Sequence, residues 1–242
     1  MRLIQISDLH LSADPEAEYR GVHARRHCEA ILEDIKAHHP ELVLVTGDIS
    51  EDGSVASYRV AADCLDRLGC DWAWLPGNHD ERSAMAQVRA LPGQLTIEGW
   101  QLLLLDTRVS GEVGGRVGQA ALEQLSEQLL ADSRPALIAM HHPPVSVNSA
   151  WMDGAGVADR DAFWQTLALY DQVQLVIAGH VHHVFETRQQ EVAVQTVPAV
   201  SQQFAPASAE FTLDDTARPG YRIIELADSG AWQSRVVRVE VS

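Results

Sequence analysis

The sequence predicts an α/β fold in a single domain over residues 1–242. Apolar runs of strand length alternate with stretches whose apolar residues recur at helical spacing. The length suits one large domain with a substantial core. A hydrophobic share of 46% is ordinary for a globular protein.

The elements follow in order. RLIQIS at 2–7 is the first expected strand, and a helix over about 23–38 follows, ended by Pro40. A proline disfavours helical backbone in the residue before it. LVLVTG at 42–47 is the second strand, and the helix after it, 54–68, opens on a Ser54 cap. Val55, Tyr58, Ala62, Leu65 and Leu68 recur there at helical spacing, so one face is expected to be buried. Further strands are expected at 72–77 (WAWLPG), 100–107 (WQLLLLDT), 136–141 (ALIAMH) and 173–180 (VQLVIAGH), with helices near 119–131 and 160–169. From about residue 180 the chain turns to short alternating strands, a β-rich C-terminal part of the same domain. The Gly- and Pro-containing segments 108–118 and 201–219 are expected to be the most mobile.

A formal net charge of −16 repels polyphosphate backbones and argues against nucleic acid or an anionic membrane as partner. No apolar run approaches the ~20 residues of a bilayer span. The N-terminus enters a strand pattern directly, with no leader pattern. Cys28, Cys64 and Cys70 lack metal-type spacing, and the first two read as small apolar fillers of helices. A reducing, cytoplasmic setting is expected. An anionic substrate would need local positive charge to overcome the global field, and metal ions would supply it.

Polar residues follow the strands. Asp8 and His10 come after the first, Asp48 after the second, Asn78 and His79 after the third, then His141, then His180 and His182. In an open α/β sheet, groups beyond the carboxyl ends of strands converge on one crevice. Asp8 and His10 are two apart, as are His180 and His182, a spacing that in extended backbone shares a face. Seven oxygen and nitrogen donors are too many for one first-row ion and suit two that share a carboxylate. Imidazole and carboxylate favour iron, manganese or zinc. Asp48, alone on a tight Gly-Asp turn, is the natural bridge, and Asn78 adds a neutral carbonyl oxygen. One Asp or His alone would more often be a cap or turn residue; five strand ends in order make coincidence improbable. His142, His183 and Asp80 are expected to support the donors or sit in solvent. His23, His27, His38 and His39 carry no functional expectation.

The ordered set DLH, GD, GNHD, HHPP and GHVH, spanning residues 8–182, resembles the calcineurin-like metallophosphoesterase superfamily. SAWMD at 149–153 and the segment 202–226 resemble the bacterial class III cyclic-nucleotide phosphodiesterases, the cyclic-AMP enzymes in particular. The resemblance implies a four-layer α/β/β/α sandwich with a dinuclear centre. One ion would take Asp8, His10, Asp48 and His182; the other would take Asp48, Asn78, His141 and His180. His141 is implied rather than His142 because the family's ligand stands two residues before the proline. His79 is implied to lie beside the substrate phosphate without binding metal, with His10, Asp48, Asn78 and His182 also lining the substrate site. The implied reaction is hydrolysis of a small-molecule 3′,5′-cyclic nucleotide to a 5′-monophosphate. Its nucleophile would be hydroxide between the ions, with His79 protonating the leaving oxygen.

Two other classes compete. A glycerophosphodiester or a nucleotide-sugar lipid precursor would keep the chemistry and change the substrate. The related lipid-precursor hydrolases usually show arginine where this chain has His79, and no large cap insertion is visible. A non-catalytic scaffold of the same fold would have lost ligands, whereas this chain keeps all seven and His79. A nuclease is disfavoured by the acidic surface and the lack of a basic stripe.

Overall fold

The computed structural model of the chain describes residues 1–97 and 99–241. In order come β1 (Arg2–Ile6), α1 (Ala24–Lys36), β2 (Leu42–Val45), α2 (Val55–Asp66), β3 (Asp71–Trp74) and α3 (Arg82–Met85). Then follow β4 (Gln94–Ile97), β5 (Trp100–Leu105), α4 (Gln119–Ala131), β6 (Ala136–Met140), α5 (Ala150–Asp153) and α6 (Arg160–Leu167). The chain finishes with β7 (Val173–Ala178), β8 (Glu186–Gln189), β9 (Val192–Thr196), β10 (Gly220–Leu226) and β11 (Trp232–Arg238). The Ser54 cap forms, its side chain accepting from the Ser57 N–H. No helix among the described residues is long and apolar enough to cross a membrane.

Two mixed sheets result. The first has the order β11-β10-β1-β2-β3 and the second β4-β5-β6-β7-β9-β8. Each has a parallel centre, β1-β2-β3 and β5-β6-β7-β9, with antiparallel strands added outside it. The strands after residue 180 are divided between the sheets: β8 and β9 join the second, β10 and β11 the first.

Strand alternation sorts the core into layers. Ile4, Ile6, Val43, Val45, Trp72 and Trp74 face the helix side of the first sheet with Cys28, Ile31, Tyr58 and Leu65 from α1 and α2. Leu103, Leu105, Ile138, Met140 and Val176 meet Leu122, Leu125, Phe163 and Trp164 of α4 and α6. The intervening residues Leu3, Leu42, Leu44, Leu102, Leu104, Leu137, Leu175 and Ile224 pack the sheets on each other. That is an α/β/β/α sandwich, with Cys28 and Cys64 as apolar filler.

Polar bridges also join the sheets. Buried Arg222 of β10 donates to the Thr196 carbonyl at 2.9 Å and pairs with Glu186 of β8 at 2.7 Å. Trp100 is fully buried between the sheets and its Nε1–H donates to the Ala227 carbonyl at 2.8 Å. Trp100→Ala is expected to destabilise the protein by about 3–5 kcal/mol through the cavity it opens. Urea unfolding measures this; a loss below about 1 kcal/mol would mean that the inter-sheet layer collapses to fill the space.

Candidate metal centre

The five parallel strands that precede the polar motifs stop one to four residues before the first donor of each. β1 ends at Ile6 before Asp8, β2 at Val45 before Asp48, β3 at Trp74 before Asn78, β6 at Met140 before His141 and β7 at Ala178 before His180. Past the strand ends the backbone is not extended. Asp8, His10, Asp48, His180 and His182 all have positive φ, between 47° and 70°. Left-handed backbone costs a non-glycine residue roughly 1–3 kcal/mol, and such strain collects at functional sites. The i, i+2 pairs therefore converge by a different route from the extended one. Leu9 and Val181, the residues between, turn into apolar clusters while their neighbours turn into the crevice. The glycines of GD and GN are close-approach positions. A Cβ on Gly77 would collide with Asp48 Oδ1, and one on Gly47 with the His141 ring.

All seven predicted donors are brought together. Asp8, His10 and His182 offer atoms within 4.8 Å of one another, and so do Asp8, Asp48 and His141. Asn78 Oδ1 lies 3.2 Å from His141 Nε2. Six of the seven are buried, Asn78 being half-buried.

The imidazoles are held in one tautomer. His141 Nδ1 donates to the Thr46 carbonyl at 2.8 Å, His182 Nδ1 to the Gln202 carbonyl at 2.6 Å and His10 Nδ1 to Glu51 Oε2 at 2.8 Å. A neutral ring has one N–H, so each Nε2 is left as a lone pair. These lone pairs face acceptors: His182 Nε2 is 3.3 Å from Asp8 Oδ1 and 3.4 Å from His10 Nε2. His141 Nε2 is 3.4 Å from Asp48 Oδ2. The Nε2 of His180 is buried with no partner among the described residues. Acceptors facing acceptors in a buried crevice are the arrangement a cation satisfies, and nitrogen orientation by an outer carbonyl or carboxylate is how metal-binding histidines are held.

Electrostatics agree. Burial would raise Asp48, but the adjacent His141 holds its carboxyl well below the usual range. Burial would lower His141, but the Asp48 charge outweighs it and brings the ring up to about 9. Burial drives His180 well below its ordinary value, with His141 adding to the effect. A field that draws a proton into the core draws a metal ion likewise. The carboxylates are further fixed by backbone donors: the His180 N–H reaches both oxygens of Asp8 at 3.1 Å, and the His79 N–H reaches Asp48 Oδ1 at 2.9 Å. The donor set thus fits two ions sharing Asp48.

None of the three residues expected to be supporting or solvated lies in solvent. His142 is buried, with Nδ1 2.8 Å from Thr107 Oγ1 and Nε2 3.0 Å from the Val113 carbonyl. Both nitrogens are engaged, although the ring stands close to His141 and His180. Buried Asp80 accepts from the N–H groups of Ile49, Ser50 and Gly77 and from Tyr58 Oη, tying two donor loops together. His183 is buried too.

Sequence reasoning missed Glu51. Its Oε2 lies 2.8 Å from His10 Nδ1 and 3.1 Å from His79 Nδ1, joining a donor to the one candidate histidine that is a third exposed. Burial would raise this carboxyl, but the hydrogen bonds from His10 and His79 bring it down to about 2. The hydrogen bond to Glu51 in turn raises His79 above its ordinary value, against burial. The start of segment 201–219, expected to be mobile, is packed against the donors. Gln202, Gln203 and Phe204 are buried, Ser201 Oγ donates to the Asp8 carbonyl at 2.7 Å, and Phe204 stacks on His182 at 3.9 Å. Tyr19 stacks on His10 in the same way.

A two-sheet sandwich carrying seven Asp, Asn and His donors at its strand ends defines a metallophosphoesterase. The chain belongs to the calcineurin-like phosphoesterase family, whose model matches residues 1–184. Among curated relatives, the 3′,5′-cyclic adenosine monophosphate phosphodiesterase CpdA of Vibrio vulnificus (strain CMCP6) is 37% identical, with 99% of this chain and 90% of the relative covered. The protein of the same name from Pseudomonas aeruginosa is 35% identical, covering 98% and 90%. Among solved structures, a dimetal phosphatase from Danio rerio shares the fold at a TM-score of 0.66 and 17% identity, covering 100% of this chain and 99% of that one.

Proposed function

We propose that this chain is a metal-dependent phosphodiesterase that hydrolyses 3′,5′-cyclic nucleotides, cyclic AMP foremost, to 5′-nucleoside monophosphates. The ring of imidazole Nε2 atoms turned toward Asp8 and Asp48, each backed at Nδ1 by an outer acceptor in His10, His141 and His182, carries the reading. The substrate class is supported by the names of relatives matched over nearly the whole chain. One ion is assigned to Asp8, His10, Asp48 and His182 and the other to Asp48, Asn78, His141 and His180. Iron or manganese suits this nitrogen and oxygen set, and zinc is compatible with it. When bound, such a pair supplies the Lewis acidity that makes water a nucleophile at neutral pH.

The chain's own residues do the rest. Asn78 completes its donor set without adding negative charge, so an anionic phosphodiester can approach. His79 stands 4.8 Å from the His10 ring and is not assigned to metal. Glu51 holds its Nδ1 and raises its proton affinity, which leaves Nε2 to protonate the departing 3′ oxygen. We place the activity in one domain over residues 1–242. Its three free cysteines suit the cytoplasm.

A panel run on the manganese- or iron-loaded protein tests the reading: cyclic AMP, cyclic GMP, 2′,3′-cyclic AMP, a glycerophosphodiester and bis-p-nitrophenyl phosphate. Cyclic AMP is expected to give the highest kcat/KM among the natural diesters. Turnover of the glycerophosphodiester with none of the 3′,5′-cyclic nucleotides would reassign the substrate.

A further inference from the structure

Four large apolar side chains are exposed among the described residues: Val113, Leu130, Leu169 and Phe211. Phe211 alone is aromatic, and it is joined ring to ring with the metal centre. Phe204 lies flat on His182, 3.9 Å away with 4° between planes, and Phe211 meets Phe204 edge-on at 5.3 Å. Trp151 packs on both, at 5.5 Å and 5.2 Å. The guanidinium of Arg20 caps Phe211 at 4.7 Å and is fixed by a 2.9 Å hydrogen bond from Nε to Tyr19 Oη. Tyr19 itself stacks on His10. The platform thus draws on three segments distant in sequence, each packed on a residue assigned to the centre or on its neighbour.

We propose that Phe211, backed by Trp151 and braced by Arg20, is the site where the purine base of a cyclic nucleotide stacks; this rests on the phosphodiesterase reading above. An exposed ring offers the flat apolar face that any nucleobase covers, and a purine covers more of it than a pyrimidine. Arg20 lies over one face of Phe211, so the base is assigned to the other, and it adds a cation to a chain of net charge −16. Phe211 stands one ring beyond Phe204, which stacks on His182, so the platform adjoins the centre. A lipid tail or glycerol headgroup has no flat face to lay on the ring.

The test compares cyclic AMP with the base-free 3′,5′-cyclic phosphate of 1-deoxyribose on metal-loaded full-length protein. Stacking on one aromatic ring corresponds to about 5- to 100-fold in affinity. Phe211→Ala is therefore expected to lower the preference for cyclic AMP over the base-free diester by about that factor, through KM rather than kcat. Phe211→Trp should retain the preference, and Arg20→Gln should reduce it in the same direction. Calorimetric titration with AMP should show weaker binding in Phe211→Ala by a similar factor. An unchanged preference in Phe211→Ala, with AMP bound as in the parent protein, would overturn the assignment. If the parent protein cleaves bis-p-nitrophenyl phosphate but neither cyclic phosphate, the cyclic-nucleotide reading falls and takes the base site with it.

Discussion

Asp48→Ala is expected to take metal content from roughly two ions per chain to near none, and turnover with it. The reason is position. Asp48 Oδ2 lies 3.7 Å from His10 Nε2 and 3.4 Å from His141 Nε2, between the donors assigned to different ions. Removing it deletes a ligand from both sites and the negative charge that makes the crevice hospitable to cations. The loss in kcat/KM should exceed the ~10²–10³ typical of deleting one electrostatic group at a reacting centre. Asp8→Ala should weaken chiefly the ion shared with His10 and His182, leaving about one per chain. Elemental analysis of manganese-reconstituted protein separates the two variants. Asp48→Ala still carrying two ions would remove Asp48 from the bridging position.

The seven donors were legible because each follows an apolar run, and a strand end is readable from local pattern. Their mutual distances were not local, but parallel strands bring their ends to one rim, so convergence was implied by the order. What escaped shows the limit. Glu51 sits in SEDGS, a stretch that reads as turn, and its meaning comes from His79, 28 positions on. Phe204 and Tyr19 are unremarkable aromatics until folding lays them on His182 and His10. Strand β4 was missed since QLTI is four residues long and never fully buried. The alternating C-terminal strands were visible, but their division between two sheets depends on long-range pairing such as Ile4 with Ile223. Left-handed backbone at five of these residues also has no signature outside glycine, so the extended-strand argument reached the converging pairs by the wrong geometry.

His79→Ala is expected to retain both ions and lose about 10²–10⁴ in turnover of cyclic AMP, the range of general acid catalysis. The leaving group decides what the residue does. Cyclic AMP departs as an alkoxide that needs a proton, whereas p-nitrophenolate leaves without one. The variant should therefore be far less impaired on bis-p-nitrophenyl phosphate. The pH profile gives a second reading. The Glu51 hydrogen bond raises His79 most, burial opposes it, Asp48 adds to it and His141 works against it. With His79 as the acid, the protonated ring is the active form, so kcat for cyclic AMP stays high below its pKa and falls as pH rises through it. Glu51→Gln removes the largest raising contribution, so that fall should move to lower pH while bis-p-nitrophenyl phosphate shows no such limb. Glu51 also bonds His10, so metal content is measured alongside. Equal impairment of His79→Ala on both substrates, with metal retained, would make His79 a phosphate-binding group. Loss of an ion in that variant would place it among the metal ligands, as its proximity to His10 and Asp48 permits.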